Sequence, residues 1–262
     1  MLLLHGAATP LGQSARDAIT DAYLRADPAV PQPDRPVHII DIDNASLAAI
    51  GQWPWPREVL ADLTERLFSL GALAVGFDGI FPEPDRSSST LVTGDGVVTE
   101  GDARFAVALR THPTVLSVVG ANAGGSPQSK AGVAWTGGDP SPALTHFPGH
   151  VGNLPVLTDA ARGLGSISLA PSRDGIVRRV PMLSVMGDAI VPSLSAEMLR
   201  VVQDAGSYTL RTTEAQGESS GGTARPVALR SGGLSVPLDG AGQLSVRFSR
   251  PDPARLTSAA AI

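Results

Sequence analysis

Three aspartates follow two predicted strands at a spacing that suits cation binding. Asp41 and Asp43 lie two residues apart at the exit of one strand, so they share a face, and Asp78 ends the next strand. Ligands of open α/β sheets bind at the carboxyl ends of strands, where clustered carboxylates can hold Mg²⁺ or Ca²⁺. The alternative, which we favour, is that these aspartates cap the helix near Asn44 and neighbouring turns, because caps are more common than metal sites.

The proline-rich turn at residues 51–57 is a second candidate site, since it holds two of the three tryptophans of the chain. Trp53 and Trp55 could form an aromatic wall, and Arg57 offers a bidentate donor for a carboxylate or phosphate. Anions are also favoured there because a helix begins at this point, with its unpaired N–H groups and positive dipole end. The alternative, again favoured, is that both indoles fill the core and Arg57 pairs with a nearby aspartate.

A third candidate lies at residues 174–179, where a tight turn leads into a strand that carries Arg178 and Arg179. Both guanidinium groups could bind an anion. The residues predicted to bind a ligand are Trp53, Trp55, Arg57, Asp78 and Arg178.

The composition excludes several classes of function. A net charge of −5 with scattered basic residues argues against a nucleic-acid partner, which needs clustered lysine and arginine. The lack of cysteine excludes disulfides and thiol catalysis, and neither a Walker A loop nor an H-E-x-x-H or G-x-S-x-G motif occurs. His146 and His150 are separated by Pro148 and Gly149, which prevent helical metal-ligand spacing. We therefore predict a domain that is not an enzyme and has no cofactor other than the candidate cation.

The elements that would position these residues alternate between helix and strand. A helix at residues 11–25 and a proline-rich linker at 28–36 come first, so residues 1–36 are predicted to precede a main domain of residues 37–262. Further helices are predicted at residues 57–70, 105–109 and 194–202. Strands are predicted at residues 37–42, 73–77, 115–119, 165–169 and 177–185, and a hairpin at 234–248. Long loops are predicted at residues 86–102, 120–150 and 206–226.

This order predicts a mixed α/β fold with a largely parallel central sheet, flanking helices and long surface loops. The helix after Arg57 carries Leu60, Leu63, Leu67 and Leu70 at helical spacing, so this stripe is expected to face the sheet. The longest apolar stretch, residues 67–77, is too short to cross a bilayer, which takes about 20 residues.

Several of these motifs, in this order, resemble the type-2 CHASE domain. The first half of the resemblance consists of Asp41-Ile42-Asp43, Trp53-Pro54-Trp55-Pro56-Arg57 and Phe77-Asp78-Gly79-Ile80-Phe81. The second half consists of Asp174-Gly175-Ile176-Val177-Arg178-Arg179, Val191-Pro192-Ser193-Leu194 and Val236-Pro237-Leu238-Asp239. The resemblance implies a sensory module outside the cytoplasmic membrane, flanked by membrane helices that lead to a cytoplasmic cyclase, phosphodiesterase or kinase. It also implies a closing strand after Ile262, so the domain is expected to be truncated at its C-terminus.

We therefore expect the periplasmic part of an inner-membrane bacterial receptor, which binds a small-molecule cue and regulates a cytoplasmic cyclase or kinase. The sequence leaves open the cue, the effector and the oligomeric state, for which a homodimer is one option. The alternative from another class is a metal-assisted hydrolase that uses Asp41, Asp43 and Asp78. This alternative lacks a convincing partner acid or base.

Overall fold

The fold is mixed α/β, as predicted. The structure is a computed structural model that describes residues 10–30, 37–93, 96–169, 174–213 and 224–262. The α-helices in these ranges are α1 (Pro10–Ala26), α2 (Asn44–Ile50), α3 (Arg57–Ser69), α4 (Glu100–Thr111), α5 (Pro155–Ala160) and α6 (Leu194–Val202). The first eight strands are β1 (Ile39–Asp41), β2 (Val75–Gly76), β3 (Thr90–Thr93), β4 (Gly96–Thr99), β5 (Thr114–Ala121), β6 (Gly132–Thr136), β7 (Thr145–Phe147) and β8 (Gly149–Val151). The remaining strands are β9 (Gly163–Ser166), β10 (Arg179–Pro181), β11 (Leu183–Met186), β12 (Ala189–Pro192), β13 (Ser207–Thr212), β14 (Pro226–Ser231), β15 (Leu234–Pro237), β16 (Gln243–Ser245) and β17 (Leu256–Ser258).

The central sheet is built around β5, whose apolar start is buried. Val115 pairs with Gly76 of β2 on one side and with Gly163 of β9 on the other, and both pairings are parallel. Helix α4 makes the connection between β2 and β5, and α5 lies between β5 and β9 along the chain. Strand β8 pairs antiparallel with the far end of β5. The predicted strand at residues 73–77 is reduced to two residues, and Leu73 is 72% exposed.

Strand β1 does not join the central sheet, so this part of the predicted sheet is wrong. It pairs in parallel with β17, a strand that was not predicted from the sequence. The predicted hairpin at residues 234–248 is also wrong, because β15 pairs with β14 whereas β16 pairs with β10. The turn at Asp239 exists, since its Oδ1 accepts hydrogen bonds from the N–H groups of Ala241 and Gln243 at 2.9 and 2.8 Å.

Two further sheets and an antiparallel pair of β3 with β4 complete the described part. In one, β13 lies between β14 and β6, with β15 at the edge; in the other, β11 lies between β12 and β7. The segments predicted as loops at residues 86–102, 120–150 and 206–226 thus contain β3 and β4, then β6, β7 and most of β8, and then all of β13. Strand β13 does alternate between exposed and buried residues, a strand pattern that the loop prediction overlooked. The other strands have three to five residues, too few for a clear period. Residues 214–223 of the last segment, and residues 31–36 of the predicted linker, lie outside the described residues.

Helix α3 buries only Leu60 of the predicted leucine stripe, and its buried face is turned toward Arg57. Its buried residues are Arg57, Leu60, Ala61 and Thr64. Leu63 and Leu67 are only partly buried, and Leu70 is 57% exposed. The helix packs along α4, which supplies a charged partner for Arg57, and this pairing turns the Arg57 side of α3 inward.

The core falls into two clusters. The larger one lies between α3, α4 and the central sheet and contains three phenylalanines in edge-to-face contact, with ring centroids 5.4 to 6.0 Å apart. These are Phe77, Phe81 and Phe105. The second cluster lies between α6, β11 and the sheet of β13 and β14.

Candidate functional site

The tryptophan turn at residues 51–57 places one indole inside and one at the surface. Trp55 is 2% exposed, and its ring N–H donates to the carbonyl oxygen of Gly51 at 2.8 Å. Trp53 is 37% exposed and packs edge-to-face on Trp55 with the ring centroids 5.8 Å apart. The Trp53–Pro54 peptide bond is cis. The core-filling alternative therefore holds for Trp55, whereas Trp53 presents an aromatic surface.

The guanidinium of Arg57 points into the protein. It lies over the ring of Phe81, 4.6 Å from the centroid, and Nη2 donates to the carbonyl oxygen of Glu83 at 3.3 Å. Its Nε lies 3.5 Å from Oδ1 of Asp102, and neither atom has a hydrogen-bond partner among the described residues. Burial lowers the pKa of Arg57, and the charges of Asp102 and Asp85 oppose this shift. Arg57 is thus paired with aspartates, as the favoured alternative predicted, but not with Asp41, Asp43 or Asp78.

Asp102 is fully buried at the start of α4. Its Oδ2 accepts hydrogen bonds from the Thr99 hydroxyl at 2.7 Å and from the Asp85 N–H at 3.1 Å. In return, Thr99 caps the helix by accepting from the Asp102 N–H at 3.1 Å. Asp102 therefore holds the start of α4, the loop of Asp85 and the guanidinium of Arg57 together.

The Asp85 carboxylate occupies the position where an external anion was predicted. Its Oδ2 accepts from the Arg57 N–H, at the start of α3, at 2.8 Å and from the Ser88 hydroxyl at 3.2 Å. A Cβ atom added at Gly101, near the start of α4, would clash with this same oxygen. Burial raises the pKa of Asp85, but the hydrogen bonds from Ser87, Arg57 and Ser88 outweigh it, so the pKa is lowered overall. An acidic side chain of the protein thus binds beside the starts of both helices.

The three aspartates predicted to hold a cation have different contacts in the structure. Asp43 caps α2, since its Oδ1 accepts from the N–H and hydroxyl of Ser46 and from the hydroxyl of Ser258, each at 2.8 Å. These hydrogen bonds lower the pKa of Asp43. Asp41 contributes its main-chain oxygen to the Ser46 hydroxyl at 3.4 Å, and Asp78 is exposed. Among the described residues, no group of three or more histidine, aspartate or glutamate side chains is arranged to hold a metal ion.

Arg178 is 6% exposed and is held by two carboxylates. It donates to both oxygens of Asp21 in α1, at 2.8 Å each, and to both oxygens of Asp174, at 2.9 and 2.7 Å. Hydrogen bonds from Arg178 lower the pKa of Asp174 to about 2 and also lower that of Asp21. An external anion would have to displace one of these carboxylates.

A third buried arginine cluster was missed by the sequence analysis. Glu197 is fully buried on α6, where it accepts from Arg200 at 2.7 and 2.9 Å and from the Tyr208 hydroxyl at 2.7 Å. Arg200 also donates to the carbonyl oxygen of Ala205 at 2.7 Å. Burial, followed by the charge of Glu197, raises the pKa of Tyr208. The spacing of Glu197 and Arg200 on one helix face was visible in the sequence, but on a helix such a pair is more often exposed.

Two surface recesses among the described residues are lined by residues other than those predicted to bind a ligand. One lies between residues 127–131 and β12, beside Lys130 and Glu197, and another lies between α6 and the sheet, beside Tyr208 and Leu234. None of the residues predicted to bind a ligand lines these two recesses. Of the predicted set, Trp53 and Asp78 are exposed, whereas Trp55, Arg57 and Arg178 are buried.

The structure therefore defines a mixed α/β domain whose buried arginines serve internal ion pairs. The model of the CHASE2 domain family matches the chain over residues 1–262, and the chain belongs to this family. CHASE2 domains are extracytoplasmic sensor domains and are not catalytic. No curated protein and no solved structure matches the chain. Over the described ranges, the helices lack the length and apolar content needed to span a bilayer.

Proposed function

We propose that this CHASE2 domain is the periplasmic sensor of a bacterial inner-membrane receptor. It binds a small-molecule cue and regulates a cytoplasmic cyclase or kinase of the same protein through the membrane helices that flank it. The observation that carries this proposal is the family match over the whole chain. The proposal is consistent with buried arginines that each pair with an acidic side chain of the same chain.

We place the contact with the cue at the exposed face of Trp53. This ring is held against Trp55, and Trp55 lies in the same core cluster as Leu60 of α3. A molecule that stacks on Trp53 would therefore act on the start of α3 through contacts that are already packed. A rigid aromatic ring also offers a large binding area at a small cost in conformational entropy.

A thermal-shift screen of small molecules against the purified chain tests this placement. A compound that binds the folded state raises the melting midpoint, by a stabilisation of about 2.7 kcal/mol at a hundredfold excess over Kd. We expect Trp53→Ala to retain its own melting transition and to lose this shift. Leu73→Ala, which removes another exposed apolar side chain, is the matched control and should keep the shift. Equal shifts in both variants would place the cue elsewhere.

The periplasmic location can be tested with a reporter fused behind Ile262 in a receptor that retains its preceding segment. The reporter is either alkaline phosphatase or a fluorescent protein. Alkaline phosphatase requires the periplasm to become active, so we expect an active phosphatase fusion. An inactive phosphatase fusion with a well-folded cytoplasmic reporter at the same position would contradict the proposed periplasmic location.

A further inference from the structure

The N-terminal and C-terminal flanks of the domain run beside each other in the same direction. The Ala29 N–H donates to the carbonyl oxygen of Phe248 at 3.1 Å, and Ala29 forms a parallel bridge with Ser249. Further along both flanks, β1 and β17 pair in parallel, with Ile39 opposite Leu256. We call the paired residues the flank seam; it comprises residues 27–30 and 37–46 on one side and residues 247–260 on the other.

One end of the seam is closed by a compact hydrogen-bond network. The Ser258 hydroxyl donates to Oδ1 of Asp43 at 2.8 Å and lies 2.9 Å from the Ser46 hydroxyl oxygen. The Ala260 N–H donates to that same Ser46 oxygen at 3.1 Å. Ser46 is fully buried, and Asp43 is also the N-cap of α2. The C-terminal flank is thereby attached to the helix that follows the N-terminal flank.

The other end of the seam is held by charge. Arg247 forms an ion pair with Asp27 and also donates to its carbonyl oxygen at 3.2 Å. Close by, the Val246 N–H donates to the main-chain oxygen of Arg178 at 2.9 Å, and the Arg178 side chain holds Asp21 of α1. Helix α1 and the start of the C-terminal flank therefore both bind Arg178.

We infer that the two flanks form one mechanical unit, so that a displacement of either flank is passed to the other. A paired strand cannot slide by one residue without breaking its ladder and turning each side chain to the opposite face, so the seam resists movement of one flank alone. This inference rests on the proposed function and extends it. If the flanks join the sensor to the rest of a receptor, a cue that moves one flank would move the other with it.

Hydrogen exchange measured by mass spectrometry on the 262-residue chain tests the coupling. Ser258→Ala changes only the C-terminal flank, and the informative signal is the exchange of amides in the N-terminal flank. We expect exchange in β1 and the start of α2 to rise about tenfold together with that of β17, since a capping network is lost. Peptides from β5 and α4 should keep their protection. Ser235→Ala, at an exposed serine outside the seam, is the matched control. Faster exchange in β17 with unchanged exchange in β1 would overturn the inference.

Disulfide trapping gives a second measurement that does not depend on how well Ser258→Ala folds. The chain contains no cysteine, so an introduced pair has no competing thiol. Ile39→Cys with Leu256→Cys joins opposite positions of strands that lie about 4.8 Å apart, a separation that a disulfide accommodates. Ile39→Cys with Ser258→Cys is the off-register control. We expect the first pair to oxidise readily and to slow exchange in both flanks, and equal oxidation of the two pairs would overturn the parallel register. Both measurements use the chain without a cue, so they stand apart from the test of sensing.

Discussion

Replacing Arg57 by glutamine distinguishes a structural arginine from a ligand-binding one. The substitution removes the positive charge that faces the fully buried Asp102 and lies over the Phe81 ring. It leaves Asp102 with hydrogen bonds from Thr99 and the Asp85 N–H but without its arginine partner. The structure therefore predicts a loss of stability rather than a selective loss of response to a cue.

The magnitude follows from the burial of the pair. Breaking a buried ion pair from one side costs about 3 to 5 kcal/mol, because the remaining charge stays buried without compensation. The two hydrogen bonds kept by Asp102 place the expected loss near the lower end, at about 3 kcal/mol. A domain with a total stability of about 5 to 15 kcal/mol would still fold, but with a large part of its stability removed.

Urea denaturation followed by tryptophan fluorescence measures this loss. The double variant Arg57→Gln with Asp102→Asn should recover about 0.5 to 3 kcal/mol relative to the sum of the single variants, because it removes both charges. Arg104→Gln is the matched control, since Arg104 and its partner Asp62 are both more than half exposed, and its cost should stay below about 1 kcal/mol. A cost below about 1 kcal/mol for Arg57→Gln, with no coupling to Asp102→Asn, would refute the buried pair.

Three further outcomes are expected. Leu60→Ala should cost about 2 to 5 kcal/mol in urea denaturation because Leu60 is 2% exposed, whereas Leu70→Ala at a 57% exposed position should cost little, and equal costs would contradict the orientation of α3. The pKa of Asp174 is about 2 in the folded chain, below its unfolded value. The ionised carboxylate therefore stabilises the fold above about pH 4, and this contribution is lost as the pH falls toward 2. Asp174→Asn should flatten the dependence of the unfolding free energy on pH in this range. Millimolar Mg²⁺ or Ca²⁺ should leave the melting midpoint unchanged because Asp43 Oδ1 already accepts three hydrogen bonds, and a rise that Asp43→Asn abolishes would restore the predicted cation site.

The sequence predicted helices and strands correctly where an apolar pattern extended over enough residues to be recognised. The helix at α3, the helix at α6 and the buried strand β5 were all found in place. Which face of α3 is buried was predicted wrongly, because the buried face is rotated away from the leucine stripe toward Arg57, which was not expected inside. A hydrophobic stripe cannot show that a charged side chain will be buried beside it, since that depends on a partner from a distant segment.

The sequence predicted the chemical groups of the candidate site but not which residues pair with them. The sequence indicated that Arg57 could pair with an aspartate, but the aspartates considered were neighbours in the predicted sheet. The actual partners, Asp85 and Asp102, come from a loop and from the start of α4. Likewise, Arg178 is paired with Asp21 of α1, a helix that was treated as a segment preceding the domain. Such pairings depend on how segments pack, which no local pattern specifies.

The two regions proposed to take part in signalling meet in the larger core. Ile40 of the flank seam is partly buried against the cluster that contains Trp55, and Trp55 packs against the exposed Trp53. A close-packed core transmits small displacements because its side chains have no free volume into which to relax. A cue that tilts Trp53 would therefore disturb the core cluster against which Ile40 of β1 packs, and the pairing of β1 with β17 would pass the shift to the other flank. This geometry makes Ile40→Ala the variant in which the exchange of both flanks should rise while the contact surface at Trp53 stays intact. If binding at Trp53 still slowed flank exchange in that variant as strongly as in the parent chain, the route through Ile40 would be excluded.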